Sequence, residues 1–264
     1  MLRAMYSGIS GMKNFQIKLD VIGNNIANVN TYGFKKGRTT FKDMVSQQIS
    51  GASSATATRG GTNPKQVGLG SQLATIDTIH TQGSLQTTGR PLDLSISGDG
   101  FFVLLNGAQT VFTRAGNFYL DVNGDLVNAD GLFVREVGGG RINIPNTAKS
   151  FSIGSDGTVT YIDAAGTLQP AGQITIAKFD NPEGLEKAGS NLFIETSNSG
   201  APAYGTAGGA NGEGTIVAGT LEMSNVDLSE EFTEMIVAQR GFQANTRIIT
   251  TSDEILQELV NLKR

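Results

Sequence analysis

The chain has 264 residues and a formal net charge of −4, and its 17% of charged residues is well below the roughly one quarter typical of globular domains. It contains no cysteine, which excludes disulfides, thiolate catalysis and cysteine-based metal sites. The mild net charge gives no indication of nucleic-acid binding. Residues 1–8 lack the apolar core of a secretory signal, and no run of eighteen apolar residues follows. We therefore expect neither a cleaved signal peptide nor a membrane-spanning helix.

A seven-residue repeat of apolar residues predicts a helix over residues 3–29. Such a repeat holds one stripe of a helix against a partner helix. Within the stretch, Gly8, Gly11 and Gly23 each cost about 1 kcal/mol relative to alanine, but they allow neighbouring backbones to approach closely. By itself the pattern fits either a surface helix on a globular core or an assembly helix. The repeat consists of Met5, Met12, Leu19 and Ile26 in one row and Phe15, Ile22 and Val29 in a companion row.

The helix is predicted to end in the asparagine-rich stretch of residues 24–33. Asparagine side chains compete for backbone hydrogen bonds and tolerate left-handed backbone conformations. Gly33 is the expected terminator.

Residues 46–71 are rich in Ser, Thr, Gly and Ala and poor in bulky apolar side chains. Because this composition cannot bury a core, we expect an extended connector, with a disordered loop as the alternative in the isolated chain. In an assembly, Pro64, Val67 and Leu69 are the residues expected to contact a neighbouring subunit.

From residue 73 to about residue 194 the apolar period falls to two, which predicts half-buried strands. Turn dipeptides interrupt this region and favour the positive backbone angles of tight hairpins. We therefore predict an antiparallel β-domain. The dipeptides are Asp99-Gly100, Asn106-Gly107, Asn123-Gly124, Asp130-Gly131 and Asp156-Gly157.

A second seven-residue repeat occupies residues 226–264 and predicts a long C-terminal helix. Asp227 or Ser229 is suited to cap its N-terminus. The companion positions Gln239, Thr246 and Asp253 are polar, which indicates that the contact surface of this stripe is not purely apolar. Two such helices at opposite ends of one chain favour assembly helices. The repeat consists of Leu228, Met235, Phe242, Ile249 and Leu256, with Phe232 and Val260 three or four positions from their neighbours.

No catalytic or metal site is predicted. His80 is the only histidine, and without cysteine it makes no common zinc site, so we expect an ordinary surface or loop residue. Residues 121–125 begin like a calcium loop, but Leu126 and Leu132 stand where the loop requires Gly and Glu, so a hairpin turn is the better interpretation. The glycine-rich stretches 98–100 and 138–140 match no phosphate loop or dinucleotide fingerprint.

Three blocks of the chain resemble the bacterial flagellar rod and hook proteins, the axial subunits that stack into the rod and hook. They cover about a fifth of the chain and stand in the family's order. The first block is DVIGNNIANVNTYGFKK (residues 20–36). The second comprises DLSISGDGFF (93–102) and TRAGNF (113–118), and the third is EMSNVDLSEEFTEMIVAQRGFQAN (222–245).

The resemblance implies an α+β protein whose N- and C-terminal helices pair as a coiled coil, with a central antiparallel β-rich domain. We expect a discontinuous helical domain over residues 1–33 and 224–264, a connector over 34–71 and a β-rich domain over 72–223. The predicted assembly interface consists of the apolar repeat residues Met5, Met12, Phe15, Leu19, Ile22, Ile26, Val29, Phe232, Met235, Phe242, Ile249, Leu256 and Val260.

The implied function is that of a structural subunit in a helical homopolymer, not an enzyme. The expected partners are further copies of the chain, adjacent axial proteins of the rod and the hook–filament junction, and the flagellar export apparatus and assembly cap. No cofactor, small-molecule substrate or nucleic acid is expected. The implied location is the hook or basal body, reached through the flagellar channel.

Within the family, residues 235–245 and the ending LVNLKR (259–264) favour a short hook protein, a flexible joint that transmits torque. The alternative is the distal rod protein, a rigid drive shaft. The alternative is favoured by the chain length, the Ser/Gly-rich connector and the lack of the extra mid-chain domains of better-known hook proteins.

Overall fold

A computed structural model describes residues 2–56, 58–107, 109–209 and 212–262 of the protein. The chain forms two compact units. The first consists of Met1–Ala27, Gly37–Asp77 and Asp227–Arg264, and the second of Asn28–Lys36 and Thr78–Val226. The predicted class is confirmed: a helix lies at each end of the sequence, and antiparallel strands lie between them.

The first unit contains both long helices, α1 (Leu2–Ala27) and α2 (Leu228–Leu262). They run antiparallel and contact each other, since Lys18 Nζ lies 3.0 Å from Glu234 Oε2 and Asn25 Nδ2 donates to Glu231 Oε2 at 3.2 Å. The unit also contains β1 (Gly37–Asp43), β2 (Ser46–Ser50), β3 (Lys65–Gly68) and β4 (Ser71–Thr78), with β1 paired to β4 and β2 paired antiparallel to β3.

α2 begins as the sequence predicts. Asp227 Oδ1 accepts a hydrogen bond from the Ser229 N–H at 2.8 Å, and the Asp227 carbonyl accepts from the Glu231 N–H at 3.0 Å. Asp227 is therefore the capping residue, and Glu230 in the first turn suits the positive end of the helix dipole.

The second unit is built from short antiparallel strands. A nine-stranded sheet has the order β16-β17-β8-β7-β11-β10-β9, with β15 pairing to both β7 and β18. Smaller sheets are β12-β13-β14, β19-β6 and β20-β5. The strands are β5 (Leu85–Thr87), β6 (Leu94–Ser97), β7 (Phe101–Asn106), β8 (Gln109–Thr113), β9 (Tyr119–Leu120), β10 (Leu126–Val127), β11 (Phe133–Val134), β12 (Ser150–Ile153), β13 (Thr158–Ile162), β14 (Leu168–Gln173), β15 (Thr175–Lys178), β16 (Glu186–Gly189), β17 (Leu192–Ile194), β18 (Ala203–Thr206), β19 (Thr215–Ala218) and β20 (Thr220–Glu222).

Two apolar clusters form the core of the second unit. The larger contains Leu94, Phe102, Phe118 and Ile174, each with no exposed surface. The smaller lies on the other face of β7 and is mainly aromatic: Phe101, Val103, Phe112, Ala177, Phe179, Leu185 and Phe193. Successive side chains of β7 belong alternately to the two clusters, as the two-residue period of a strand predicts. Residues 121–125 form a hairpin turn, and the glycines of all five predicted turn dipeptides have positive φ.

Gly33 has a different role from the one predicted. α1 ends at Ala27, and the stretch 28–33 consists of turns, so Gly33 does not terminate the helix. Its φ of +69° suits glycine, and a Cβ there would lie only 2.6 Å from the Ala115 nitrogen. Its N–H donates to the Glu222 carbonyl at 2.8 Å. Gly33 therefore allows a close backbone contact inside the second unit.

The proposed connector contains more regular structure than its composition predicts. Residues 34–71 include β1, β2 and β3, and the β2–β3 hairpin is exposed along its whole length. The boundaries of the three predicted domains stay a prediction. Among the described residues, no helix is long and apolar enough to cross a membrane.

Candidate assembly site

The surface of α2 that faces α1 includes a row of small and polar residues at seven-residue spacing. Glu231, Ala238 and Ser252 are the buried residues of this helix. Asn245 continues the row, and its side chain lies 2.9 Å from where a Cβ on Gly11 would stand. Small side chains and glycines allow the two helices to approach closely in this region.

The predicted companion positions Gln239, Thr246 and Asp253 each lie one residue after the row of α2 that is buried against α1. Gln239 and Asp253 are exposed, and only Thr246 is partly buried, with its Oγ1 3.8 Å from Met12 Sδ. The buried row begins at Glu231 instead. A search for bulky apolar residues misses this row because its members are small or polar.

The predicted interface residues divide between the helix contact and the open surface. On α1, Ile22 is buried, and Met5, Met12, Phe15, Leu19 and Ile26 are partly buried; Val29 lies beyond the helix in the second unit. On α2, Met235, Phe242, Ile249 and Leu256 are partly buried, whereas Phe232 and Val260 are 49% and 67% exposed. Their role in an interface stays a prediction.

α2 carries an open apolar surface along most of its length. Its large exposed apolar side chains are far more numerous than those of α1 within the described residues. Contiguous exposed apolar surface usually marks a contact with another molecule. The residues are Leu228, Phe232, Ile236, Val237, Ile248, Ile255, Leu259, Val260 and Leu262.

The predicted connector contacts lie at and beside β3. Val67 is in the strand and is 40% exposed. Pro64 directly precedes the strand, and Leu69 directly follows the strand and is partly buried.

A buried ionic cluster lies in the second unit, and the sequence analysis missed it. The side chains of Lys35 and Glu222 are fully buried, and Lys35 Nζ lies 2.6 Å from Glu222 Oε1. Arg114 Nε lies 3.7 Å from the other oxygen of Glu222, and Arg114 also donates to the Gly98 carbonyl at 2.7 Å. Burial lowers the pKa of Lys35 and of Arg114, while the Glu222 carboxylate opposes this in both.

A signal for this cluster was present in the sequence. Lys35, Arg114 and Glu222 fall in the first, second and third of the family-like blocks. The chain has few charged residues, and each of the three blocks contains one that belongs to this cluster. This shared feature indicated that the three blocks lie close together in the folded protein.

His80 lies in the loop that follows β4, consistent with the predicted surface or loop residue, but its side chain is partly buried. Both of its ring nitrogens are buried without a hydrogen-bond partner, and the ring packs edge-on against Phe101 and tilted against Phe193. Burial, with smaller contributions from the charges of Lys35, Arg114 and Lys187, lowers its pKa to about 4. The ring is therefore neutral at neutral pH and packs as an aromatic side chain beside the smaller core cluster.

The described residues hold no group of three or more His, Cys, Asp or Glu side chains that could bind a metal ion. A cavity of about 500 Å³ in the second unit is lined mainly by amide and hydroxyl groups, among them Asn28, Tyr32, Thr113, Asn117 and Asn128. These groups form no nucleophile–base pair. The open apolar surface of α2 is the feature that indicates a protein acting through assembly.

Models of known protein families match three successive parts of the chain. The model described as "Flagella basal body rod protein" matches residues 5–35. "Flagellar hook protein FlgE/F/G D1 domain" matches residues 95–161, and "Flagellar basal body rod FlgEFG protein C-terminal" matches residues 217–262.

Individual relatives match over the full length. The flagellar basal-body rod protein FlgG of Bacillus subtilis is 65% identical over 264 residues, covering all of both chains. FlgG of Caulobacter vibrioides is 39% identical over 266 residues, covering 99% of this chain and all of that protein. The flagellar hook protein FlgE of Borreliella burgdorferi is 33% identical over 442 residues, again covering all of both chains. The chain belongs to the family of bacterial flagellar hook and basal-body rod proteins, as a structural component and not an enzyme.

Proposed function

We propose that this protein is a subunit of the distal rod of the flagellar basal body, where copies polymerise helically into a stiff drive shaft. The observation that carries the proposal is the 65% identity to the Bacillus subtilis rod protein, which extends from end to end without a difference in length. The alignment with the Borreliella burgdorferi hook protein spans 442 residues, far more than the 264 of this chain.

The distal rod thus replaces the short hook protein that the sequence analysis favoured. That preference depended on residues 235–245 and 259–264, yet the matching C-terminal family model is common to FlgE, FlgF and FlgG. The C-terminal residues therefore do not discriminate between hook and rod, and the full-length match to the Bacillus subtilis rod protein supports the rod.

In the proposed assembly, α1 and α2 form a coiled coil whose outer surface is covered by neighbouring copies. The exposed apolar residues of α2 support this, since they are unfavourable in water and can be buried only by another molecule. A head-to-tail contact that does not close on itself produces an open helical polymer. The predicted repeat residues, from Met5 to Val29 and from Phe232 to Val260, form the interface in this proposal.

The proposal extends to further partners. Adjacent axial proteins would meet the two ends of the polymer, and the export apparatus and assembly cap would handle the chain before it is incorporated. Pro64, Val67 and Leu69 would contact a neighbouring copy, for which the exposure of the β2–β3 hairpin leaves room. Nucleic acid and small-molecule substrates have no place in this function.

Electron microscopy of basal bodies from a strain that lacks this protein tests the proposal. A rod protein predicts truncated rods without hooks, restored by the wild-type gene. Intact rods that lack hooks would instead assign the protein to the hook. Normal flagella would reject both functions.

A further inference from the structure

One face of the nine-stranded sheet carries an aromatic stripe. Tyr119 on β9 pairs with Val127 on β10, Val127 pairs with Phe133 on β11, and Phe133 pairs with Leu105 on β7. Residues directly opposite each other in antiparallel strands share a face. The intervening residues, such as Leu126 and Val134, are in the larger core cluster. The stripe therefore lies on the face that points away from that cluster.

Each arginine of the second unit apart from the buried Arg114 stacks on an aromatic ring of this face. The guanidinium carbon of Arg90 lies 4.5 Å from the centre of the Tyr119 ring, and that of Arg141 lies 3.9 Å from the centre of the Phe133 ring. Arg135 lies 4.2 Å from the centre of the Tyr204 ring.

Tyr204 and Arg135 lie on the same face as the stripe. Tyr204 pairs with Ala177, which in turn pairs with Phe101. Phe101 and Leu105 are four positions apart on β7 and therefore share a face. Arg135 is two residues from Phe133 and forms a β-bridge with Arg141. The stripe is therefore continuous across the sheet. We define the arginine face as Arg90, Tyr119, Phe133, Arg135, Arg141 and Tyr204.

The arginine face is accessible. The Arg141 side chain is 57% exposed, and Tyr119 and Tyr204 are 44% and 41% exposed. The smaller core cluster covers only the neighbouring part of the same sheet face, around Phe101 and Phe112.

The chemistry of the face indicates a protein partner with carboxylates. A guanidinium stacked on a ring keeps its N–H edge available for bidentate hydrogen bonds to a carboxylate. Arg90 and Arg141 already have Asp93 and Asp125 at 3.0 and 4.0 Å, so the face has too little net charge for a polyanion. Exposed arginine and tyrosine are the residues that most often dominate protein–protein contacts.

We propose that the arginine face binds the acidic surface of a second copy of this chain, formed by the exposed carboxylates Asp180, Glu183, Glu186 and Glu195. Charge complementarity is the argument, because acidic residues outnumber lysine and arginine in this unit and its accessible arginines are confined to this face. The contact is heterologous, so it suits an open polymer. It rests on the proposed function, in which copies of the chain polymerise.

Charge exchange in the full-length chain tests the contact. Arg141→Glu reverses the sign of one charge on the arginine face, and Glu186→Arg reverses one on the acidic surface. The double variant carries both changes, so the two positions again have opposite charges. Lys149→Glu is the matched control, since it makes the same charge change as Arg141→Glu at an exposed position beside β12, which is in a different sheet from the arginine face and from β16 and β17. Sedimentation measures the concentration at which each chain polymerises, and thermal melting verifies that each variant is folded.

Each single reversal is expected to raise the polymerisation concentration about tenfold, the size expected for close interfacial charge pairs. The double variant should return to near the wild-type value, and Lys149→Glu should behave as wild type. Single reversals that polymerise normally overturn the contact and leave the proposed function intact. Loss of polymerisation that the double variant does not restore assigns the face to another partner and also overturns the proposal. A wild-type chain that never polymerises overturns this inference and the proposed function together.

Discussion

At the residue scale, the buried Lys35–Glu222 pair joins two segments that are distant in sequence. Glu222 Oε1 also accepts from the Gly83 N–H at 3.0 Å, and Lys35 Nζ donates to the Thr81 carbonyl at 2.8 Å. Ion pairs of this kind are weak evidence of net stabilisation, but removing one partner leaves an uncompensated buried charge. We therefore expect the packing of these segments to depend on both charged partners.

Glu222→Gln is expected to lower the free energy of unfolding of the second unit by about 3–5 kcal/mol, because Lys35 and Arg114 lose the one carboxylate that both contact. Denaturant unfolding followed by near-ultraviolet circular dichroism measures the change. Arg38→Met, which breaks the exposed Arg38–Asp77 pair at 3.5 Å, is the control and should cost less than about 1 kcal/mol. Equal losses in the two variants would contradict the role given to the cluster.

His80 predicts a specific loss of stability in acid. Its pKa is about 4 in the folded protein and 6.5 in the unfolded chain. Below pH 6.5 the unfolded chain binds a proton that the folded protein does not, so stability falls between pH 6.5 and pH 4, by about 3 kcal/mol in total.

His80→Phe should remove this part of the pH dependence and raise stability at neutral pH, because phenylalanine packs with Phe101 and Phe193 without two unpaired buried nitrogens. Unfolding free energies measured for both proteins from pH 4 to pH 7.5 test this. An identical pH profile in the two would show that another group causes the acid response.

At the element scale, glycines in the helices differ in what surrounds them. A Cβ on Gly241 of α2 would lie 2.6 Å from Cζ of Phe15, whereas nothing lies within 4 Å of one on Gly23. Gly241→Ala is therefore expected to destabilise the helix pair although alanine favours a helix by about 1 kcal/mol. Gly23→Ala should stabilise it by about 0.5–1 kcal/mol. Circular dichroism during heating measures the loss of helix in each variant and so compares their stabilities. Stabilisation by both substitutions would show that Phe15 moves away freely.

Phe242 tests the apolar stripe of α2. Phe242→Ala should abolish polymerisation, since truncating a side chain buried in the assembly costs about 2–5 kcal/mol, while the second unit stays folded. Gln243→Ala, an exposed position in the same turn, should polymerise normally. Sedimentation and the near-ultraviolet spectrum provide the two measurements. Normal polymers from Phe242→Ala would show that the stripe lies outside the interface.

Elements with a strong period could be predicted from the sequence, and contacts between distant side chains could not. The seven-residue repeats locate α1 and α2, and Asp227 caps α2 as expected. Four of the five turn dipeptides mark hairpins, whereas Asp99-Gly100 joins β6 to β7, which belong to different sheets. The β2–β3 hairpin was missed because Ser and Gln in β2 have no apolar alternation to reveal a strand. The buried face of α2 and the ionic cluster were missed because polar residues such as Glu231 and Glu222 are ordinarily expected at the surface.

At the scale of the whole molecule, the family-like blocks contribute to both the buried ionic cluster of the second unit and the helix pair of the first unit. The second unit brings parts of all three blocks together at Lys35, Arg114 and Glu222. The first and third blocks also contribute residues to the contact between α1 and α2, such as Asn25 and Glu231. The family-like blocks therefore contain residues through which distant parts of the chain meet. By contrast, the exposed β2–β3 hairpin lies outside every matched family segment.

The β2–β3 hairpin provides a final prediction. Beyond the strands it continues through the bridges Ser53–Thr62 and Thr56–Arg59, and every residue described between 46 and 68 is exposed. An isolated two-stranded hairpin is marginally stable in water, so we expect it to become ordered by contact with a neighbouring copy. Its contribution should therefore appear in the polymer and not in the isolated chain.

Replacing residues 54–61 by Asn-Gly keeps the Ser53–Thr62 register with a two-residue turn. The melting temperature of the isolated chain should change by no more than about 2 °C, as expected for a surface change. The curvature or bending stiffness of the polymer, measured from electron micrographs, should differ clearly from wild type. Gly60→Ala, where nothing lies within 4 Å of the added Cβ, is the control and should alter neither property. A large drop in melting temperature with unchanged polymer mechanics would place the hairpin in the folded core instead, because only a core segment contributes to stability without a neighbouring copy.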